Sequence, residues 1–296
     1  MTDRVLSGCR IIIVEDDYYQ AHDCKQMLQQ AGAKVVAVTA VVPDLPGFTV
    51  EVLPSIDSTS SELMRRARAG LMEPVLLAAD EQTAGRGRLG KGWHSKAGQS
   101  LTFSLALPLA PADWSGLSLA VGVSLAESLH PDVRLKWPND LWLHQRKLGG
   151  ILVETASNGT SVGSAATHPR LVVVGVGINI ARPEAAAVSA LASPDALLPA
   201  MAPAGLSEVL VGLTAGEVLE RVVPTLVRDL LAFESQSFAA FAERFARRDA
   251  LQGQSVRLSD GTQGTACGVS PQGALLVQTD QGMQAVTSSE VSVRPC

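Results

Sequence analysis

The sequence has few cysteines, and the four that it has are not arranged as metal ligands. Among its 296 residues, Cys9, Cys24, Cys267 and Cys296 form no Cys-x-x-Cys pair, and no histidine stands near them at metal-ligand spacing. Zinc ribbons and disulfide scaffolds depend on closely spaced cysteines, so neither class fits. A chain of this length buries enough surface to form a core without such cross-links. We therefore expect reduced thiols in a cytoplasmic protein.

The sequence also lacks an excess of positive charge. Its 24 lysines and arginines are outnumbered by 29 aspartates and glutamates, which gives a net charge of −5. Proteins that bind nucleic acid or membrane surfaces broadly usually present a net basic face. We therefore expect neither a nucleic-acid partner nor a membrane partner, although a local basic patch is compatible with this charge.

Long hydrophobic runs are missing as well. Apolar stretches such as residues 101–110 and 171–181 are shorter than the roughly 20 residues that a membrane-spanning helix needs. The N-terminus has no basic region followed by an apolar run and a small-residue cleavage site, which is the pattern of a secretory signal. The composition, with 46% hydrophobic and 18% charged residues, is typical of a folded protein rather than a disordered one. We expect a soluble cytoplasmic protein.

The first 42 residues predict a strand, a helix and a second strand. A β-branched run at residues 10–14 is followed by an acidic turn, a helical stretch at residues 19–31 and another apolar run at residues 34–42. This order resembles the beginning of a response-regulator receiver domain. The pattern then stops at a break rich in proline and glycine, without the phosphorylatable aspartate of a complete receiver. We therefore expect residues 1–42 to be an appended fragment. The alternative from a different functional class is a signalling protein with a working phosphorelay.

From residue 48 onward, strands and helices alternate without a regular strand-helix-strand repeat, which predicts an α+β fold with a mixed sheet. Thr59 and Glu62 have the spacing of a capping box, and Pro224 is expected to interrupt or kink a helix. A long polar, glycine-rich loop is expected at residues 82–98. The predicted strands are residues 48–53, 74–79, 101–107 and 171–180, with residues 133–137 and 150–154 paired, and the predicted helices are residues 59–70, 114–129, 215–233 and 238–251.

After residue 253 the pattern changes to short β runs. These runs are separated by glycine-containing turns at residues 260–261, 271–273 and 280–282, which are typical of hairpins. The last forty-odd residues therefore predict a small separate β-barrel.

Three segments carry candidate chemistry, and the first is Gly-Arg-Gly-Arg-Leu-Gly-Lys-Gly at residues 85–92. It gathers three cations and four glycines in an otherwise acidic chain. Its backbone N–H groups and two guanidinium groups are suited to binding an anion. No helix follows it, as a dinucleotide fingerprint requires, and Gly92 occupies the Ser or Thr position of a phosphate loop. A solvated loop is an equally good interpretation of this segment alone.

The second segment is Lys-Trp-Pro-Asn-Asp at residues 136–140. Pro138 favours a turn that presents Asn139 and Asp140 at the end of a strand. If the flanking strands form a hairpin, Lys147 lies near that turn. A lysine and an aspartate that face one cleft can stabilise negative charge on a reacting carboxylate or phosphate. The alternative is a surface hairpin with a salt bridge.

The third segment is an apolar strand at residues 172–180 that contains Gly175 and Gly177. Glycines inside a strand let a ligand or another backbone approach closely. Taken in order with Asp-Ser-Thr at residues 57–59 and the two segments above, this strand makes the sequence similar to biotin protein ligases, the enzymes that biotinylate carboxylase carrier domains. The resemblance covers residues 48–296.

The resemblance implies a mixed sheet flanked by helices in a catalytic domain at residues 48–250, followed by an SH3-like β-barrel at residues 253–296. It implies that ATP with Mg²⁺ activates biotin as biotinyl-5′-adenylate (biotinyl-AMP). A lysine of the biotin carboxyl carrier domain of acetyl-CoA carboxylase then attacks this anhydride. The nearest alternative is a lipoate or octanoyl ligase or transferase of the same fold. The resemblance is also compatible with a homodimer.

Some members of this family carry an N-terminal winged helix and repress transcription. Residues 1–42 do not supply a winged helix, so we expect no operator binding. The sequence also departs from the family at two site positions, since Leu89 replaces an arginine and Ser60 an asparagine found in other members. We expect the position of Leu89 to contribute less, whereas Ser60 remains among the implied biotin contacts.

The resemblance also assigns roles to individual residues. Lys147, Arg88 and Asp140 are the implied catalytic residues, and Trp93 would stack on the adenine. Whether Asn139 or Asp140 holds the metal-phosphate region stays open, and no dedicated metal site of the protein is implied. The implied biotin-binding residues are Ser58, Thr59, Ser60, Gln82, Gly85, Arg86, Gly87, Arg88, Lys147 and Gly150. The implied ATP- and adenylate-binding residues are Arg86, Arg88, Trp93, Asn139, Asp140, Lys147 and Asn179, with Arg182 a weaker candidate.

Overall fold

The structure is a computed structural model that describes residues 10–14, 27, 34–40, 47–156, 169–183, 202–287 and 293–295. Apart from Met27, which is helical, the helix predicted at residues 19–31 lies outside the described residues. Cys267 carries a free thiol, as expected. The other three cysteines lie outside the described residues.

The described elements alternate between strands and helices along the chain. The strands are β1 (Arg10–Val14), β2 (Lys34–Ala40), β3 (Thr49–Leu53), β4 (Val75–Ala79), β5 (Gly85–Arg86), β6 (Gly92–Trp93), β7 (Ser100–Leu109), β8 (Arg134–Lys136), β9 (Asp140–Leu143), β10 (Arg146–Ala156), β11 (Arg170–Asn179), β12 (Ser255–Leu258), β13 (Gln263–Val269), β14 (Leu275–Thr279), β15 (Gly282–Val286) and β16 (Val293–Pro295). The helices are α1 (Thr59–Arg68), α2 (Leu117–Leu129), α3 (Ala215–Gln236) and α4 (Ala242–Ala246), and 3₁₀ turns lie at Arg88–Gly90, Leu206–Glu208 and Phe238–Phe241.

The main sheet is mixed and has the strand order β1-β2-β3-β4-β7-β11-β10-β9-β8. Its centre is the antiparallel pair of β7 and β11, which are buried almost throughout. Helices cover both faces of the sheet, so these two strands are buried on both sides and their sequences are nearly continuous apolar runs. On β4, Leu76 packs into the large core with α2 and α3, and Leu77 packs with α1 on the opposite face. The predicted mixed sheet flanked by helices is therefore confirmed.

The strands of the first 42 residues extend this sheet at one edge. β1 pairs parallel with β2, and β2 pairs antiparallel with β3, where Val38 lies opposite Val52. Backbone pairing therefore joins the appended fragment to the rest of the chain. The division at residues 42 and 250 stays a prediction.

The predicted pairing of residues 133–137 with 150–154 is wrong, because a strand lies between them. β9 pairs with β8 on one side and with β10 on the other, and Lys136 lies opposite Asp140 across a tight turn. Asp140 therefore begins a strand rather than a loop. The dipeptide Asn139-Asp140 is typical of turns, so the sequence pattern does not reveal the short strand that begins at Asp140.

The first helix begins at a different cap from the predicted one. Ser58 is the N-cap, and its side chain accepts a hydrogen bond from the Ser61 N–H at 3.3 Å. Glu62 forms ion pairs with Arg65 and Arg66 instead of capping the helix. The predicted capping box at Thr59 is therefore wrong. The Thr59 hydroxyl instead forms hydrogen bonds in the interior of the protein.

Two helix predictions near the end of the main domain also need correction. α3 runs without interruption through Pro224, because the apolar face of this long helix is buried along its length and outweighs one missing backbone hydrogen bond. The alternative of a kink at Pro224 stays a prediction. The helix predicted at residues 238–251 is only a 3₁₀ turn followed by the five residues of α4. The predicted loop at residues 82–98 contains the small hairpin of β5 and β6.

The C-terminal residues form a five-stranded antiparallel sheet in the order β15-β14-β13-β12-β16, as the turn pattern predicts. The chain that leads into this sheet bonds with β8, and the turn between β13 and β14 contacts the residue that follows β8. The backbone of Leu135 bonds with residues 248 and 250, and the Trp137 indole N–H donates to the carbonyl of Gly273 at 3.0 Å. In the part of the chain that the structure describes, no helix combines the length and apolar character needed to cross a membrane.

Candidate active site

A cavity of about 510 Å³ lies where the N-terminus of α1, the segment of residues 85–93, the turn between β8 and β9, and the ends of β10 and β11 meet. All the predicted site residues line it except Gly85 and Arg182, and Val293 from the small sheet lines it too. Gly85 packs against Trp93 in the small hairpin, because a Cβ there would collide with the Trp93 carbonyl. Arg182 is exposed to solvent. The lining residues that sequence reasoning named are Ser58, Thr59, Ser60, Gln82, Arg86, Gly87, Arg88, Trp93, Asn139, Asp140, Lys147, Gly150 and Asn179.

One end of the cavity is built from buried hydroxyl and amide groups. Thr59 donates to Gln82 Oε1 from its backbone N–H at 2.7 Å and from its hydroxyl at 3.0 Å. Ser104 Oγ lies 2.7 Å from Thr59 Oγ1 and 2.9 Å from Ser60 Oγ. Because Ser104 is fully buried, it holds the hydroxyl groups of Thr59 and Ser60 in fixed positions. The network suits an uncharged ligand that both donates and accepts hydrogen bonds.

Sequence reasoning missed Ser104. It lies on β7, two residues after Thr102, and both are buried polar residues in an otherwise apolar strand. Residues two apart point to the same face of a strand. Two hydroxyls at this spacing on a central strand are a signal that could have identified the position.

The two glycines of β11 leave room that the site uses. A Cβ on Gly175 would collide with Ser60 Oγ, and a Cβ on Gly177 would collide with the Trp93 ring. The indole of Trp93 thus lies directly against the β11 backbone. Its buried Nε1 has no hydrogen-bond partner among the described residues. A buried donor without a partner is costly unless a ligand or water satisfies it.

The other end of the cavity is rich in positive charge. Lys147 Nζ lies 2.7 Å from Asp140 Oδ1, and Lys136 Nζ lies 3.9 Å from Asp140 Oδ2. Arg88 Nη1 donates to Asn139 Oδ1 at 3.4 Å. Burial lowers the pKa of Arg88 while the charge of Asp140 opposes that change, and a guanidinium remains charged in proteins. Three cations around one carboxylate form a site for an anion.

The segment after residue 202 closes this end of the cavity. The Ala204 N–H donates to the Lys147 carbonyl at 2.9 Å, and Asn179 Nδ2 donates to the Ala204 carbonyl at 3.1 Å. Arg146 forms an ion pair with Glu208. The sequence of this region, rich in Ala, Pro and Ser, gave no sign of these contacts.

The described residues do not fit a resident metal ion. Among the described residues no three His, Cys, Asp or Glu side chains come together. Asp140 is the one acidic residue among those that line the cavity, and it already contacts Lys147. Divalent cations usually need more oxygen ligands from the protein or from a substrate.

Comparison with known proteins decides the family. Residues 52–179 match the model of the biotin/lipoate A/B protein ligase family, and residues 252–294 match that of the biotin protein ligase C-terminal domain. Over 265 residues the chain is 34% identical to the bifunctional ligase/repressor BirA of Escherichia coli, covering 86% of this chain and 77% of BirA. The chain belongs to the biotin protein ligase family. It is also 31% identical over 251 residues to the biotin--[acetyl-CoA-carboxylase] ligase of Paracoccus denitrificans, covering 81% of this chain and 98% of that ligase.

The fold of this biotin protein ligase agrees with a solved relative. The biotin protein ligase from Aquifex aeolicus, solved in complex with biotin and ATP, is 29% identical and has a TM-score of 0.65. The match covers 83% of this chain and 99% of that one. The resemblance inferred from the sequence, and the two-part fold that it implied, are therefore confirmed.

Proposed function

We propose that the protein is an ATP-dependent ligase that forms biotinyl-AMP from biotin and ATP and transfers biotin to a lysine of the biotin carboxyl carrier domain of acetyl-CoA carboxylase. One observation carries this proposal: a single cavity joins a buried hydroxyl network to a cluster of cations around Asp140 and Lys147. The names of the relatives support the choice of biotin and of the carrier.

The hydroxyl network binds the ring system of biotin in this proposal. Thr59, Ser60 and Gln82 offer donors and acceptors at a fixed position, because Ser104 and the helix N-terminus hold them. The ureido group of biotin is an uncharged group of matching chemistry. Gly175 contributes because it has no side chain that would occupy the position of the Ser60 hydroxyl.

The cation cluster acts on the reacting groups. A biotin carboxylate oxygen attacks the α-phosphorus of ATP, the bond to the leaving pyrophosphate breaks, and no proton needs to move in this step. Negative charge accumulates on the α-phosphate oxygens, where preorganised cations stabilise the transition state. Lys147 and Arg88 supply this charge, and Asp140 fixes the ammonium group of Lys147.

The remaining site residues serve the nucleotide. Trp93 offers a flat surface and its buried indole N–H. Asn139 accepts a hydrogen bond from Arg88, and Asn179 bonds to Ala204, whose N–H donates to the Lys147 carbonyl. Mg²⁺ enters as part of the ATP substrate, since the described residues offer it no site of their own. The amine of the carrier lysine then attacks the biotinyl carbonyl, loses a proton and displaces AMP.

Two further parts of the proposal are the cytoplasmic location and the lack of a nucleic-acid partner, which rest on composition and charge. A homodimer is compatible with the family. Binding of a biotin-operon promoter fragment at physiological salt would contradict the lack of a nucleic-acid partner.

The test is pyrophosphate release with MgATP and either biotin or lipoate, followed by mass analysis of an added carrier domain. Biotin-dependent release, with a mass gain of one biotin on the carrier lysine, is the expected result. Release with lipoate alone would assign the protein to the lipoate ligases, which the matched family model also includes. Release with neither would contradict both.

A further inference from the structure

The glycine-arginine loop, residues 85–93, contacts the main sheet through an ion pair that the proposed reaction does not use. Arg86 Nη2 donates to Glu154 Oε2 at 2.7 Å. Glu154 lies on β10, far from the loop in sequence, and is not among the residues that line the cavity. No role in the reaction proposed above falls to Glu154.

The sheet holds Glu154 in a fixed place. Its backbone is paired with Val173 of β11. It follows Gly150 by four residues on the same strand, so both point to the same face, and Glu154 lies roughly 13 Å further along. The carboxylate is therefore a fixed anchor beyond the rim of the cavity, too distant to touch the groups that react near Lys147.

The loop itself has little internal structure. β5 and β6 have two residues each, and the Gly87 N–H donates to the Lys91 carbonyl at 2.6 Å. Leu89, at the tip, has a positive φ of 55° and is 62% exposed. A hairpin this short is not stable by itself, so its position depends on contacts with the rest of the protein. The contact of Arg86 with Glu154 is an ion pair between the loop and the sheet.

We propose that Glu154 is a positioning residue that anchors the glycine-arginine loop over the bound adenylate through Arg86. This inference rests on the proposed function. The ion pair is partly exposed, with side chains 27% and 45% accessible, so its loss should speed the escape of biotinyl-AMP roughly two- to fivefold. The KM for biotin should rise by a similar factor. The kcat of adenylate formation should stay unchanged, because Glu154 touches no reacting atom.

The test compares Glu154→Gln, Arg86→Met and the double variant. Biotinyl-AMP formed on each protein is chased with excess unlabelled biotin and its loss is followed. The double variant should match Arg86→Met, since Glu154 acts only through Arg86. The difference between wild type and Glu154→Gln should shrink as ionic strength rises, because salt screens an exposed pair. Equal lifetimes, additive effects or slower loss in Glu154→Gln would each overturn the proposal.

Glu51→Gln is the matched control. Glu51 pairs with Arg66 at 2.6 Å on the same sheet, away from the loop, and both side chains are partly exposed. Its replacement should cost similar stability but leave the lifetime of the adenylate unchanged.

A second measurement needs no substrate. Trypsin should cleave after Arg88 faster in ligand-free Glu154→Gln than in wild type or Glu51→Gln, because the loop is released. An unchanged cleavage rate would overturn the anchor. If wild type made no biotin-dependent adenylate, the proposed function would fail, and the trypsin rates would still decide on the anchor.

Discussion

Replacing Lys147 by alanine should remove adenylate formation while leaving the fold intact. The ammonium group of Lys147 lies 2.7 Å from Asp140 Oδ1, at the end of the cavity where the cations gather. It acts on charge that develops as the α-phosphorus is attacked, so its loss should lower kcat rather than raise the KM for biotin.

The expected loss of catalytic rate is much larger than the expected loss of folding stability. Loss of one preorganised group that stabilises transition-state charge costs roughly 3–4 kcal/mol, or about a hundred- to a thousandfold in rate. The Lys147 side chain is 44% exposed, and an ion pair of that exposure contributes at most about 1 kcal/mol to folding. In Lys147→Ala, Asp140 would still have Lys136 Nζ at 3.9 Å, so its negative charge would keep a positive neighbour.

The assay is biotin-dependent pyrophosphate release, with urea unfolding measured on the same preparations. Lys96→Ala is a suitable control, because Lys96 is exposed and does not line the cavity. Lys147→Arg keeps the charge and should retain more activity than alanine. A folded Lys147→Ala protein that releases pyrophosphate within tenfold of wild type would refute the role given to this lysine.

Three further predictions concern packing and charge. Gly175→Ala should weaken biotin binding, measured by calorimetry, because its Cβ would displace Ser60 Oγ from the hydroxyl network. Gly92→Ala, which has open space, is the control, and equal binding by both variants would contradict the steric argument. Trp137→Phe removes a buried hydrogen bond and should lower the free energy of unfolding by roughly 2–3 kcal/mol, so an unchanged urea midpoint would count against that contact. Burial raises the pKa of Asp249, whose Oδ2 has no hydrogen-bond partner among the described residues. The ionised form is thus disfavoured in the fold, and stability that is full below about pH 4 should decline as pH rises through the raised pKa. Asp249→Asn should therefore stabilise the protein at pH 7 by roughly 1 kcal/mol, and the gain should vanish in melting curves recorded below pH 4.

The parts of the fold that the sequence predicted are those with strong local patterns. β7 and β11 are long apolar runs, and the hairpins after residue 253 are marked by glycine turns. The sequence did not predict β9, because its four residues begin with an aspartate that is typical of a turn. The continuity of α3 could not be foreseen either, because the burial that offsets Pro224 comes from tertiary packing.

The site divides in the same way. Segments with unusual composition, such as residues 85–92 and 136–140, pointed to part of the cavity lining before any geometry was known. Ser104 and the segment at residues 202–208 escaped, because their roles come from which strand or loop lies beside them. The pair of hydroxyls at Thr102 and Ser104 could have drawn attention to that strand, but an alanine in a region of low complexity carries no chemistry that a pattern could record.

The two ends of the cavity differ in rigidity, and the difference follows from what each binds. The hydroxyl end is buried and held by Ser104, so it can select an uncharged ring whose hydrogen bonds must be met at fixed positions. The cationic end is partly exposed, with Lys147 and Arg88 reaching it from a strand and a loop. Charges there must admit ATP, release pyrophosphate and later expose the anhydride to a carrier lysine. Weak, solvent-accessible ion pairs suit that cycle because they can be broken and re-formed at little cost in free energy.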